Sequence, residues 1–561
     1  MHTGIFRARQ LSVFLFFLLS LTLLVARLFY LQVLQSNFYY KIANEQHIVS
    51  TEIQPKRGTI FDRNMQVLAV NISTDSVFAN PRIVKDKRKA ARAMAPILGV
   101  SESYILERLS RDKGFIWIKR RIPVADSKKI KALNVEGVDM VEESKRVYPN
   151  RTLACHVLGA VNIDNFGLEG VELCYNKFLK GESGWLISTQ DAKRKLLESY
   201  QFEFIPPKNG LNLVLTIDEV IQSIAERELY KSYKKHNAKA ASIVVMDPRT
   251  GAVLALANLP NFDLNALSDR QIESIRNRAV NDFFEPGSVF KVITASALLQ
   301  ENLVKLNDTF FCENGEWKIG RKVLHDVHPY GTLTFKEVIE KSSNIGTVKA
   351  ARALEPSKMY AYIKEFGFLD KTGIDLPGEV VGINRPPEKW SKLSMNAIPM
   401  GQEVTVTALQ LACAISVVAN NGFYVKPRVV KAIVDESGQV VKEFPPVIAR
   451  TVLSPHAAAT MRYILNGVVE NGTGKKARVE EFKVGGKTGT GQKIENGTYS
   501  HSKFIGSFIG FAPLDGAMLA VAVCVDEPHP VYYGGDVSAP VFKSVVDESI
   551  KYLNVKGLKA M

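Results

Sequence analysis

The chain has 561 residues, 46% hydrophobic and 23% charged, with a formal charge of +15. That length suits two or three domains, and the ordinary composition allows a sizeable core. The basic residues are spread out and no recognisable nucleic-acid motif accompanies them, which argues against a nucleic-acid partner and for work near an anionic membrane or polymer surface.

Leu11 to Leu34 is apolar apart from Ser12, Ser20, Thr22, Arg27 and Gln32. As a helix it would span about 36 Å, enough for a hydrocarbon layer of ~30 Å. Arg7 and Arg9 precede it and favour a cytoplasmic N-terminus. We read 1–9 as a cytoplasmic tail and 10–34 as an uncleaved single-pass anchor. The rival is a cleaved signal peptide, which needs a shorter apolar core and a small-x-small site. Arg27-Leu28-Phe29-Tyr30-Leu31 stands there instead, with Arg27 placed to snorkel at the outer interface.

Residues 35 to about 235 alternate strand-like runs such as Val67–Val70 with charged helical stretches such as the one around Asp86 to Ala95. Residues 114–124 read as a strand and a basic turn. Pro206-Pro207-Lys208-Asn209-Gly210 is a turn signal before a strand Leu211 to Thr216. Asp218 is a candidate N-cap for a helix to about Lys234. A second domain opens at about 236–240. Ser242–Met246, the turn Asp247-Pro248-Arg249-Thr250-Gly251 and Ala252–Ala257 form a hairpin. Phe504–Ala512 and Met518–Val525 read as strands, and Ala539–Leu553 as a closing helix. Strands at both ends with helices between predict an α+β domain, an antiparallel sheet covered by helices.

Cys155, Cys174, Cys312, Cys413 and Cys524 show no C-x-x-C pair and no metal-ligand spacing, so a structural zinc is not expected. Cys413 and Cys524 lie in apolar runs. Cys155 and Cys174 have the option of pairing, which spacing does not decide.

Three short motifs carry chemistry. In Glu285-Pro286-Gly287-Ser288-Val289-Phe290-Lys291 the Pro-Gly break puts Ser288 in the first turn of an apolar helix. The free N–H groups and dipole there favour a developing negative charge. Lys291, three residues on, shares that face. A neutral lysine can take the serine proton, but its pKa of ~10.4 must fall towards 7, by about 4 kcal/mol, for the base to work. Desolvation and a second cation are the expected causes, and Lys487 is the candidate cation. The S-x-x-K pattern recurs at Ser110, Ser232 and Ser500, each in a polar or charged setting.

Ser342-Ser343-Asn344 follows a helical stretch, Phe335 to Lys341. Ser342 is placed to relay a proton between Lys291 and a leaving amine, and Asn344 to hold a substrate amide. The bland alternative is a polar turn between helices, and Ser394-Met395-Asn396 repeats the pattern. Lys487-Thr488-Gly489-Thr490 reads as a strand approaching a ligand, glycine allowing close backbone approach and the hydroxyls and ammonium holding a carboxylate. Backbone N–H groups of Ser288 and Thr490 would make the oxyanion hole. Lys371-Thr372-Gly373 is a second copy, set in a turn and too close to Ser342 to be the third corner.

The ordered set S-x-x-K, S-x-N and K-T-G resembles that of class B penicillin-binding proteins, the D,D-transpeptidases of bacterial cell-wall synthesis. Arg57-Gly58-Thr59-Ile60-Phe61-Asp62-Arg63-Asn64, Arg146-Val147-Tyr148-Pro149 and Gly167-Leu168-Glu169-Gly170-Val171-Glu172 resemble the family's N-terminal motifs, which support a non-catalytic pedestal. The resemblance covers nearly the whole chain. It implies a pedestal (dimerisation-type) domain over 35–235 and a penicillin-binding transpeptidase domain over 236–554, outside the cytoplasmic membrane. It implies a Ser288 acyl-enzyme on peptidoglycan stem peptides ending in D-Ala-D-Ala, inhibition by β-lactams, and no metal or organic cofactor. A polytopic glycan polymerase and other division proteins are the partners it suggests. Asp526-Glu527-Pro528 and the run Tyr532 to Phe542 resemble the division-specific branch. Ile398-Pro399-Met400-Gly401-Gln402-Glu403 departs from the glycine-rich run expected there. An elongation enzyme, a membrane-anchored β-lactam hydrolase or sensor, and a non-catalytic division scaffold are the alternatives.

Overall fold

A computed structural model describes residues 2–189, 203–320, 322–495, 497–555 and 557. The chain divides into two compact units, Met1–Pro55 with Gly181–Asn209, and Lys56–Lys180 with Gly210–Met561.

In the first unit, helix α1 (His2–Phe29) runs into a π-helical turn, Tyr30–Leu34. Ile5–Leu34 is a helical segment of 30 residues whose most apolar window is not buried against protein. At ~1.5 Å per residue it is long enough to cross a bilayer. The Ser12 and Thr22 hydroxyls donate to the carbonyls of Ala8 (2.9 Å) and Leu18 (2.8 Å), so these polar groups are satisfied within the helix. A helix Ser36–His47 follows. The strands Ile48–Ile53, Gly184–Thr189 and Glu203–Ile205 then pair antiparallel in that order.

Among the described residues the second unit holds two large sheets and three two-stranded ones. One large sheet joins Val440–Glu443, Val430–Val434, Asn212–Leu215, Ile60–Phe61, Val67–Ala79 and Ile116–Ile122 in that order, with Val138–Val147 also paired to Val67–Ala79. The strand at 67–70 is therefore much longer than its apolar core, and the basic residues after Ile118 continue a strand before a helix Val124–Ala132 begins. The three N-terminal motifs meet at one carboxylate. Glu172, fully buried, takes Arg57 Nε on Oε2 at 2.7 Å, Arg146 Nε on Oε1 at 2.7 Å and the Tyr148 hydroxyl at 3.2 Å. A buried carboxylate between two guanidiniums tolerates the loss of none of its partners.

The other large sheet is the platform of the site. Helix α2 (Glu219–Lys235) precedes strands β1 (Ala240–Met246) and β2 (Val253–Leu259). Strands β3 (Gly485–Glu495), β4 (Thr498–Ala512) and β5 (Leu519–Asp526) complete an antiparallel sheet ordered β2-β1-β5-β4-β3. Every residue of β1 is buried, and its side chains alternate between two cores. Val244 and Met246 pack with helices α3 (Lys291–Gln300), α4 (Asn344–Ala351), α5 (Ala408–Ala419) and α6 (Pro455–Glu470). Ile243 and Val245 pack with α2 and helix α7 (Ala539–Val555). The expected antiparallel sheet covered by helices is present.

Two segments near the expected boundary at 235 contribute to sheets on either side of it. Asp218 caps α2 as expected, accepting from Val220 and Ile221 N–H, yet α2 covers the β1–β2 face and belongs with the transpeptidase-side sheet. Strand Val430–Val434, from the C-terminal half, pairs with Asn212–Leu215 in the other sheet. A turn signal such as Pro206–Gly210 marks a loop but not which sheet the next strand joins. The part of the expected pedestal at 190–202 lies outside the described residues. Cys155 and Cys174 are both free thiols. Cys155 is buried in the core while Cys174 is exposed, which settles the option that spacing left open.

Candidate active site

Gly287 takes a left-handed φ of +56° after Pro286, and the 3-10 turn Gly287–Phe290 leads into α3. A Cβ on Gly287 would sit 2.7 Å from the Thr490 carbonyl oxygen. Glycine thus serves both the turn and the close approach of β3. Val289 and Phe290 anchor the turn in the core, leaving Ser288 partly exposed and Lys291 fully buried.

A buried ammonium needs acceptors. Lys291 Nζ donates to the Ser342 carbonyl (2.7 Å), Asn344 Oδ1 (2.7 Å) and Ser342 Oγ (3.3 Å). Ser342 is held at φ +61°, a left-handed conformation uncommon for a non-glycine residue. The residues beside it are fixed by Asp326. Its carboxylate accepts from the Ser343 hydroxyl (2.6 Å), from the Asn344 N–H, and from the Ile345 N–H (3.1 Å) at the start of α4. Ser343 caps the same helix by accepting from Gly346 N–H at 2.9 Å. Asn344 Nδ2 donates to the His325 carbonyl (2.9 Å), which turns Oδ1 towards Lys291. The carbonyl expected to hold a substrate amide is therefore committed to Lys291.

Lys487, on edge strand β3, is also fully buried. Its Nζ donates to Ser342 Oγ (2.8 Å) and the Thr488 carbonyl (3.2 Å). Ser342 Oγ thus receives both lysines. A hydroxyl has two acceptor lone pairs and one proton, so with both pairs taken its own proton points elsewhere. Thr488 Oγ1 lies 2.6 Å from Thr473 Oγ1, and Thr490 Oγ1 accepts from Gly534 N–H at 3.4 Å. A Cβ on Gly489 would come within 2.5 Å of Ser507 Oγ and 2.8 Å of Val289, so the strand and the Ser288 turn are in contact. Ser288, Ser342, Asn344, Thr488, Gly489 and Thr490 line one cavity of about 600 Å³. The two lysines stand behind its wall.

Burial pushes the Lys291 pKa down to about 7, against the Asp326 carboxylate, which acts to raise it. Burial, and then the charge of Lys291, pushes Lys487 well below the ordinary lysine value. Desolvation, the first of the two expected causes, dominates at Lys291, and the two buried ammonium groups share Ser342 Oγ, so each disfavours the charged form of the other.

The sequence singled out Ser288, Lys291, Ser342, Asn344, Lys487, Thr488, Gly489 and Thr490, and the fold brings them together. The decoys go elsewhere. Thr372 N–H donates to its own loop's Glu379 at 2.6 Å, and Ser394 Oγ donates to Glu403 at 2.7 Å. Missed were Asp326, His325 and Thr473, which carry no motif or spacing signal. The Ile398–Glu403 departure is resolved by one residue: Gly401, at φ +87°, is where a Cβ would lie 2.1 Å from the Gly287 carbonyl oxygen. The contact requires that glycine and no other in the run.

A family model described as Penicillin binding protein transpeptidase domain matches residues 241–547, and one described as Penicillin-binding Protein dimerisation domain matches residues 52–215. The chain belongs to the class B penicillin-binding proteins. Stage V sporulation protein D of Bacillus subtilis is 36% identical over 99% of this chain and 87% of its own length. Peptidoglycan D,D-transpeptidase FtsI of Escherichia coli is 31% identical over 96% of this chain and 91% of its own. Penicillin binding protein 3 of Mycobacterium tuberculosis, solved with aztreonam, has a TM-score of 0.70 at 28% identity, covering 90% of this chain and 98% of that one. A peptidoglycan synthetase from Bifidobacterium adolescentis has a TM-score of 0.73 at 26% identity, covering 91% and 97%. Transpeptidase domains of class B penicillin-binding proteins are serine acyltransferases, and the cavity at Ser288 lies within the matched residues.

Proposed function

We propose that this class B penicillin-binding protein cross-links peptidoglycan during cell division, with Ser288 as its nucleophile. The observation that carries the chemistry is Ser342 Oγ receiving hydrogen bonds from two fully buried lysines at the wall of the cavity that Ser288 lines. Neutral Lys291 takes the Ser288 proton as Oγ attacks the carbonyl between the two terminal D-alanines of a donor stem peptide. The oxyanion is held by the backbone N–H groups of Ser288 and Thr490; β3 is a sheet edge, and an edge strand has N–H groups free of the ladder. Ser342 passes the proton to the departing D-alanine amine. Thr488 and Thr490, backed by the buried Lys487, hold the donor's terminal carboxylate, and Gly489 lets it approach. An amine of a second stem peptide then resolves the Ser288 ester. β-Lactams acylate the same hydroxyl. The domain reading that accompanies this is a pedestal over 35–235 and a transpeptidase domain over 236–554, joined by the shared sheet described above.

Support for a division role comes from the relative named FtsI and from the Asp526–Pro528 and Tyr532–Phe542 segments; the sporulation relative supports a specialised septum as the second reading. The apolar helix α1 anchors the chain in the cytoplasmic membrane with its N-terminus inside, next to a polytopic glycan polymerase. Ser288→Ala tests the chemistry: cross-linking by the purified full chain and support of growth are lost together. Unchanged cross-linking or growth contradicts it. Imaging a tagged copy tests the role, with septal placement expected and even side-wall placement contradicting it.

A further inference from the structure

The cavity that Ser288 lines has a neighbour of about 300 Å³, and the two share the wall residues Glu285 and Gln492. Glu285 stands three residues before Ser288. Its backbone is pinned to β3, since a Cβ on Gly491 would lie 2.2 Å from the Glu285 carbonyl oxygen. Its carboxyl Oε1 accepts from the Glu403 backbone N–H (2.9 Å) and the Tyr499 hydroxyl (3.3 Å). Among the described residues no lysine, arginine or histidine pairs with Glu285, and no hydrogen bond reaches its Oε2. Lys493, the lysine of the second cavity, is already tied to Asp526 (2.9 Å) and Glu527 (2.7 Å). Burial, together with the charge of Glu403, pushes the Glu285 carboxyl above the usual glutamate range. This is a carboxylate that lacks a cation, at the junction of two cavities. In the wall of the catalytic cavity Lys476 is likewise tied to Asp536 (2.6 Å) and Lys341 lies 3.8 Å from Glu337.

We propose that Glu285 binds the ammonium of the acceptor stem peptide, which reaches Ser288 through the second cavity, and takes its proton. The inference rests on the transpeptidase reading above. The acceptor arrives as R–NH3⁺ and is not nucleophilic in that form. One proton passes to the Glu285 carboxylate and on to water. The neutral amine attacks the Ser288 ester carbonyl, forming a C–N bond. The C–O bond to Ser288 then breaks, and the second amine proton goes to Ser288 Oγ, leaving an amide and a free hydroxyl. The donor half-reaction needs no such group, because Lys291 already serves Ser288.

The test uses the full chain in detergent with a donor ester or thioester ending in D-alanine and a stem peptide bearing a free side-chain amine. The ratio of amide product to hydrolysed donor is measured. A general base of this kind contributes ~100-fold or more, so Glu285→Gln is expected to lower that ratio by about that factor while penicillin acylation is affected far less, and Glu285→Asp to recover part of it. An unchanged ratio overturns the proposal. So does an equal loss of penicillin acylation, which would make Glu285 a structural or donor-side residue. Absence of a penicillin adduct in the unchanged protein would instead sink the transpeptidase reading itself.

Discussion

Replacing Lys291 by arginine isolates the proposed base. Arginine fills a similar volume and keeps a cation for the Ser342 carbonyl and Asn344 Oδ1, but it does not deprotonate in a protein. Burial brings Lys291 from 10.5 to about 7. At pH 7.5 an ordinary lysine is neutral in about one molecule per thousand, whereas at a pKa of about 7 some three-quarters are neutral. The burial is thus worth close to a thousandfold in active base, or about 4 kcal/mol at ~1.36 kcal/mol per tenfold. The sign follows from the protonation state required: acylation needs Lys291 neutral, so the rate falls as pH drops through about 7 and levels off above it. The assay is the second-order rate of labelling by a fluorescent penicillin between pH 5.5 and 9. The expected profile loses about tenfold per pH unit below the limb, and Lys291→Arg, with no neutral form to supply, loses about 100-fold or more at pH 7.5. A flat profile, a limb near the ordinary lysine value, or an arginine variant that acylates within about tenfold of the parent would refute the argument.

Glu172→Gln leaves Arg57 and Arg146 facing a neutral amide in the core, and a destabilisation of about 3–5 kcal/mol is expected in denaturant melts of the full chain. A loss under ~1 kcal/mol, the range of a surface pair, would show that this cluster does not hold the N-terminal motifs together. Gly287→Ala forces an L-residue to φ +56° and drives a methyl to 2.7 Å from the Thr490 carbonyl. A shift of the Ser288 turn against β3 of that kind is expected to cost ~100-fold in penicillin acylation with the protein still folded; a rate unchanged from the parent contradicts the close approach.

What was legible in the sequence was whatever is local. Ser288 and Lys291 are one turn apart, Thr488 to Thr490 are consecutive, and Asp218 announces α2 by its cap. Their order along the chain was enough to choose Lys487 over Lys371. Affiliation was not legible. Nothing in Glu219–Lys235 says that its apolar face lies against β1 and β2, and nothing in Val430–Val434 says that it pairs with Asn212–Leu215. Those pairings are set by packing between segments more than a hundred residues apart, or across a turn that reads as a border. Asp326 was invisible for a related reason. A single acidic residue in a loop becomes important only when the start of α4 is folded onto it. Desolvation was expected at Lys291, but how deeply the side chain is buried is a property of the folded core and is not readable from the sequence.

The central claim is that Ser288 Oγ is the group that is acylated. Mass spectrometry of the full chain after penicillin treatment, followed by peptide mapping, tests it most directly. The account predicts one penicilloyl adduct, on the peptide containing Ser288, absent from Ser288→Ala. An adduct on any other residue, or one that persists in that variant, would contradict it.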